Sequence, residues 1–279
     1  MLSSHQYGFR MGLSTTLAIC DMQENILENL EKGFITCTIF CDLSKAFDTI
    51  DHDVLLWKSN NFFGIRGLPL KLLASYLQGP QQYTVIDGCT SATLNITQVV
   101  SQGSSLGPLL FALYINALPS TKLIPTLFAD DTVLSISGSN STELHSIANT
   151  ELEKVNEWLH FNKLSLMIVS RKNNQLIDFN VKINDKTITR TTCVKCLGVF
   201  INDKVTWSNH IAYLENILSC SVELFYRICQ YLSDRALKSV YFSCVYSHPQ
   251  FPIGAWCGAS ITTLNQLNVL HNKIIRAMT

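Results

Sequence analysis

Apolar positions along the chain switch between two spacings, and the switches predict the elements. Ser14 can cap a helix running to about residue 32, with Leu17, Cys20, Ile26, Leu27 and Leu30 near helical spacing and Gly33 as the stop. Ile35 to Cys41 is β-branched and apolar without helical charge spacing, which predicts a strand. Residues 51–61 turn helical again, Gly64, Gly67 and Pro69 break the chain, and a further helix is expected over 70–77. Asp87-Gly88 between the apolar runs 82–86 and 91–100 predicts a hairpin, because that dipeptide readily adopts the positive φ of a two-residue loop. A Gly/Ser-rich loop at 101–107 leads to a helix opened by Pro108. Two short strands are expected across 126–136, folded at Asp130-Asp131. An amphipathic helix follows to about residue 161, carried by Leu144, Ile147, Leu152, Val155, Trp158 and Leu159. Strand-like runs occupy 164–169, 176–183, 187–190 and 192–201; beyond Trp207 the pattern is helical over 209–231, 233–246 and 262–277. The change of pattern near residue 205 marks an expected boundary between a mixed segment, 1–205, and a helical one, 206–279.

Composition narrows the class. Of 279 residues, 47% are apolar and only 15% charged, which excludes a disordered chain. The 13 Gly and 7 Pro exclude a collagen-like one. The 21 basic and 21 acidic residues cancel, yet the neutrality hides a split. Residues 1–162 hold 8 Lys and Arg against 15 Asp and Glu, a net of −7; residues 163–279 hold 13 against 6, a net of +7. No signal peptide is visible at the start, so the ten cysteines are expected to be reduced thiols in an intracellular protein. Cys193-x-x-Cys196 has zinc-like spacing but no second pair nearby and lies in a strand-like run, so a structural role is expected. The longest apolar stretch, Leu109 to Leu118, is well short of the roughly 20 residues that span a bilayer.

Two segments carry the chemistry. In Phe40-Cys-Asp-Leu-Ser-Lys-Ala-Phe-Asp48 and in Phe128-Ala-Asp-Asp131, an apolar strand runs straight into aspartate. Aspartate is a poor strand residue, so a strand-end carboxylate needs a reason. A divalent cation is one, since Mg²⁺ prefers carboxylate oxygens together with substrate phosphates. A plain turn or cap is the other. If the strand ending at Asp42 lies beside the 126–136 hairpin, Asp42, Asp130 and Asp131 converge.

Together with Gln102-Gly-Ser-Ser-Leu-Gly-Pro-Leu-Leu-Phe111, these segments resemble motifs A, B and C of a reverse transcriptase, specifically of the non-LTR, LINE-type and jockey-like retrotransposons. Gln6-Tyr-Gly-Phe-Arg10, Gly64-Ile-Arg-Gly67, Asn162-Lys-Leu-Ser-Leu166, Leu197-Gly-Val199 and Thr206-Trp207 extend the resemblance over essentially the whole chain. It implies an α+β right-hand polymerase: an antiparallel palm sheet flanked by helices, a partial fingers region, and a mainly helical thumb. It implies RNA-directed DNA synthesis from a primer 3′-hydroxyl with dNTPs on an RNA template. Mg²⁺ or Mn²⁺ would be held by Asp42, Asp130 and Asp131, with Asp42 and Asp130 the principal ligands. Phe47 would lie beneath the sugar of the incoming nucleotide and exclude a 2′-hydroxyl. Gln102 and Gly103 would lie against the nascent base pair, and Cys196–Val199 would grip the primer. No membrane partner is implied; the remaining parts of a longer retrotransposon polyprotein are, as is a nuclear location.

Three departures leave a second class open, a catalytically inactive remnant or nucleic-acid-binding module. Ser101 stands where the family has proline before Gln-Gly. Met167, Ser170 and Arg171 stand where it has an asparagine and then Lys-Thr. By the resemblance, the chain is expected to open inside the family's polymerase domain and to stop early in the helix holding Asn272–Arg276, leaving upstream fingers, endonuclease and cysteine-rich tail outside it; Arg10 is either a remaining fingers contact or a surface residue.

Overall fold

The computed structural model describes residues 2–42, 50–77, 81–95, 104–116, 121–158, 163–170, 180–183 and 186–278. Helix α1 (Thr15–Glu31) starts where Ser14 Oγ accepts a hydrogen bond from Leu17 N, the N-cap interaction the sequence calls for. Its buried stripe is Ile19, Met22, Ile26 and Leu30, whereas Leu17 and Leu27 face solvent, so the apolar face is rotated from the expected one. Strand β1 (Ile35–Asp42) follows, then α2 (His52–Asn61), capped by Asp51 through Val54 N, and α3 (Leu68–Leu77). Pro69 sits in the first turn of α3, where a missing N–H does no harm, and so begins that helix instead of preceding it.

Strands β2 (Gln81–Gln82), β3 (Val85–Ile86), β4 (Cys89–Thr90) and β5 (Leu94–Asn95) form two short ladders around the expected turn. Asp87 and Gly88 both have positive φ there, 48° and 80°. Helix α4 (Gly107–Asn116), β6 (Ile124–Phe128), β7 (Asp131–Gly138), α5 (Ser141–Trp158) and β8 (Lys163–Val169) complete the central part. Short strands β9 (Lys182–Ile183), β10 (Lys186–Thr187) and β11 (Thr189–Arg190) come next. The run 192–201, expected as one strand, folds back as β12 (Cys193–Cys196) and β13 (Val199–Asn202) around Leu197-Gly198, at φ 48° and 84°.

The sheet order is β11-β8-β1-β7-β6. All its pairings are antiparallel except the edge pair of β11 with β8, so the expected antiparallel sheet is mixed at one edge. Alternation along the three central strands sorts residues onto two faces. Ile35, Cys37, Ile39 and Cys41 join Leu134, Ile136, Leu166 and Ile168 in one core, closed by residues of α2, α4 and α5 such as Leu55, Phe111, Leu152 and Val155. Phe40, Val133, Met167 and Val169 lie in a second core. That core continues through α1, β12 and β13 into α6 (Ser208–Ile228), α7 (Asp234–Tyr241) and the later helices. The helix expected over 233–246 widens into a π turn at Phe242–Tyr246 and runs on as α8 (Ser247–Gln250). Pro249 has no N–H for the carbonyl four residues back, a reason for the ladder to loosen there. Short α9 (Ile253–Trp256) and long α10 (Ile261–Met278) end the described chain. Among the described residues, no helix is long and apolar enough to cross a membrane.

Candidate active site

β1 is the central strand, buried on both faces, and ends at Asp42. Its antiparallel register with β7 pairs Cys41 with Thr132 and Asp42 with Asp131. Two aspartates are thus paired in register at one end of the sheet, and β8 sets Lys163 opposite Asp42 on its other side. Asp42 is placed by its backbone; Asp131 is half-buried and Asp130 is exposed. The fold between β6 and β7 is at Ala129-Asp130, one residue earlier than expected, because Asp131 already pairs with Phe128 as the first residue of β7. Ala129 takes the positive φ, 51°, that a two-residue hairpin loop requires and that glycine usually supplies.

The hairpin is held from outside by the N-terminal loop. Leu127 N donates to His5 O at 3.0 Å and Leu127 O accepts from Tyr7 N at 2.8 Å, a parallel bridge along the edge of β6. Gly8 follows against the turn itself: a Cβ there would stand 2.6 Å from Ala129 N and 3.3 Å from the Phe128 carbonyl carbon. Tyr7 ties the loop to α1 by donating to Asp21 Oδ2 at 2.5 Å, and burial with that bond holds its hydroxyl up at about 12. Arg10 donates to Ser3 O and Gln6 O, bracing the same loop. On the far side, Glu151 of α5 accepts from Lys122 N just ahead of β6.

Asp131 lines a cavity of about 330 Å³ between the sheet and the β12–β13 hairpin. Phe40, Ser165, Thr191, Cys193, Lys195 and Cys196 also line it. Burial, and secondarily the charge of Asp131, raises the Cys196 thiol well above its ordinary range. Lys195 brings a positive charge, its Nζ 5.7 Å from the Phe200 ring centre and 5.6 Å from that of Tyr213. Gly198, at the hairpin tip, meets Phe251: a Cβ there would lie 3.1 Å from Phe251 Cε1. Of the expected primer-gripping segment 196–199, Cys196 lines the cavity with Asp131 and Gly198 packs on the helical half.

Of the expected site residues, the structure brings Asp42, Asp130 and Asp131 to one sheet end. Phe47, Gln102 and Gly103 lie outside the described residues, as do Ser101 and Arg171. Among the described residues no cluster of three or more His, Cys, Asp or Glu could hold a metal ion. Cys193 and Cys196 sit on one strand opposite Asn202 and Val199. Sequence reading missed Lys195 and the packing role of Gly8. The glycine at 198 was the available signal for Lys195, since a turn there folds the strand back toward the sheet.

A family model described as "Reverse transcriptase (RNA-dependent DNA polymerase)" matches residues 1–201. The chain is 25% identical over 297 residues to a probable RNA-directed DNA polymerase from transposon X-element of Drosophila melanogaster, covering 99% of this chain and 32% of the relative. It is 25% identical over 288 residues to the RNA-directed DNA polymerase from mobile element jockey of Drosophila funebris, covering 97% and 31%. A Pol polyprotein from the type-1 retrotransposable element R1 of Bradysia coprophila is 25% identical over 229 residues, covering 76% and 22%. The chain thus spans about a third or less of these relatives. Among solved structures, telomerase from Candida albicans in complex with a TWJ fragment of telomeric RNA superposes with a TM-score of 0.49 at 12% identity, covering 98% of this chain and 53% of that one. With the family model spanning most of its length, the chain belongs to the reverse transcriptase (RNA-dependent DNA polymerase) family.

Proposed function

We propose that the chain is the polymerase core of a non-LTR retrotransposon protein, extending a primer 3′-hydroxyl with dNTPs on an RNA template. The observation that carries this is the register of Asp42 against Asp131, with Asp130 in the adjoining turn. Three carboxylates brought to one sheet end would supply the all-oxygen donors that Mg²⁺ or Mn²⁺ prefers. Asp42, Asp130 and Asp131 would hold the cations, whose chemistry is to activate the primer hydroxyl and neutralise the departing pyrophosphate. The chain's own part is positioning. Gly8 and the edge bridge to Leu127 fix the aspartate-bearing turn, and Lys195 offers a primer phosphate a positive charge beside it. Phe47 would select against a 2′-hydroxyl, and Gln102 and Gly103 would abut the nascent pair. In this reading residues 1–205 are palm with residual fingers and 206–279 a thumb, working in the nucleus as part of a longer polyprotein.

The test is Mg²⁺-dependent dNTP incorporation on a primed RNA by the purified chain. Incorporation that Asp130→Ala abolishes is the expected result; none, or incorporation that survives the substitution, overturns the proposal for this chain. A second reading, a nucleic-acid-binding module without turnover, is favoured by Met167. That residue stands where the family has asparagine and is fully buried in the second core. Salt-sensitive primer–template binding without synthesis would support this reading.

A further inference from the structure

A second cavity, of about 340 Å³, opens in the helical half and is unconnected with the aspartates. Its buried floor is Leu218, Trp256 and Leu267, and Tyr246 forms a half-exposed wall. Gln250 and Asn268 set two exposed side-chain amides among its lining residues. Trp256 is only 5% exposed, and its indole N–H has no hydrogen-bond partner among the described residues. An apolar pocket of this size with a few polar groups is the usual form of a small-ligand site.

The π turn builds what stands beside it. In an α-helix, positions five apart lie about 140° apart around the axis; a π turn closes i to i+5 and stacks them. Here it brings Tyr246 under Tyr241, ring centres 6.1 Å apart, with Phe242 5.4 Å from Tyr246 and 5.2 Å from Tyr241. His271 of α10 lines the cavity and bonds the Tyr241 hydroxyl at 2.5 Å. Phe242 is 57% exposed and Tyr246 41%. The helical half as a whole is mildly basic: residues 208–279 carry Arg227, Arg235, Lys238, Lys273 and Arg276 against Glu215, Glu223 and Asp234. Lys238 precedes Phe242 by one helical turn.

We propose that this cavity takes a nucleobase of a single-stranded nucleic acid, whose neighbouring base stacks on the Tyr241–Phe242–Tyr246 rings. An aromatic wall supplies sequence-tolerant stacking, the amides present both donor and acceptor to a base edge, and Arg235 and Lys238 meet the backbone. This would be a second hold on the strand, separate from the aspartates, and it rests on the reading of the chain as a nucleic-acid polymerase. A protein partner or a second copy would find the same apolar walls but no use for the base-edge amides or for Lys238 one turn before the rings.

The test uses the whole chain with fluorescent single-stranded RNA and DNA octamers, in EDTA and without dNTPs, so that it is independent of synthesis. Tyr246→Ala should weaken binding by about tenfold with an unchanged salt slope, and Tyr246→Phe should retain it. Octamers bearing 5-iodouridine should photocrosslink within residues 242–256, in the native chain and in Asp130→Ala alike. The tighter of the two octamers identifies the strand held. Unchanged affinity in a folded Tyr246→Ala, crosslinks only elsewhere, or a concentration-dependent dimer that occludes the cavity overturns the proposal. No incorporation by the native chain with its crosslinking retained would count against the polymerase reading alone, and incorporation without crosslinking against the pocket alone.

Discussion

Gly8 is packed against the backbone of Ala129 so closely that a single added methyl would come within 2.6 Å of its nitrogen. The turn bearing Asp130 is therefore set partly by a residue more than a hundred positions away in sequence. Gly8→Ala forces the N-terminal loop or the turn to shift, because the opposing atoms are backbone and not a pliable side chain. A loss of stability of about 1–3 kcal/mol is expected, as for other overpacked sites. Incorporation should fall further than stability alone accounts for, since the displaced element carries the aspartates. Denaturant melts and incorporation measured on one preparation check both parts.

Asp42 is paired in register with Asp131 on one side and Lys163 on the other. Asp131→Asn removes one of the two carboxylates without changing the side chain's size. The native chain should gain stability as Mg²⁺ is titrated in, by linkage to binding, and the variant should gain much less. Equal Mg²⁺ stabilisation of both proteins would show that Asp131 holds no cation.

Elements with a local chemical mark were legible in the sequence. Ser14 and Asp51 cap helices as expected, and Asp87-Gly88 turns a hairpin. What escaped was set by contacts distant in sequence. Ala129 carries no sign of a positive φ; the edge pairing of Leu127 with His5 and Tyr7, and the register of Asp131, hold it there. Leu197-Gly198 is a weaker turn signal than Asn-Gly or Asp-Gly, so β12 and β13 read as one strand. On α1, Leu17 and Leu27 are as apolar as the buried positions; which stripe turned inward depended on the second core, and the linear pattern does not encode that choice. In the site, the type and order of the carboxylates were legible, and their register was not.

Lys195 lines the same cavity as Asp131, on the basic side of the charge split. Lys195→Ala should weaken primer–template binding about equally for all sequences and lower the salt slope of log affinity by about one, the signature of a lost phosphate contact. Filter binding between 50 and 200 mM salt, a generic range for such measurements, would resolve that change. An unchanged slope would assign Lys195 to packing over Phe200 and Tyr213 alone.

His210 is buried among Trp207, Tyr213 and Trp256, and neither ring nitrogen has a hydrogen-bond partner among the described residues. Burial depresses its pKa from the ordinary 6.5 to about 4. Above pH 6.5 the imidazole is neutral in both folded and unfolded chains and adds no pH dependence. Between 6.5 and about 4 the unfolded chain takes up the proton and the folded one resists it, so stability falls as pH falls. About 2 kcal/mol should be lost between pH 7 and pH 5 through this group, the free-energy equivalent of roughly one and a half pK units. His210→Phe keeps an aromatic ring in the cluster and has no proton to take up. Denaturant melts at the two pH values should therefore show a smaller difference for the variant by about that amount. An equal difference in both proteins would mean that the acid sensitivity lies elsewhere.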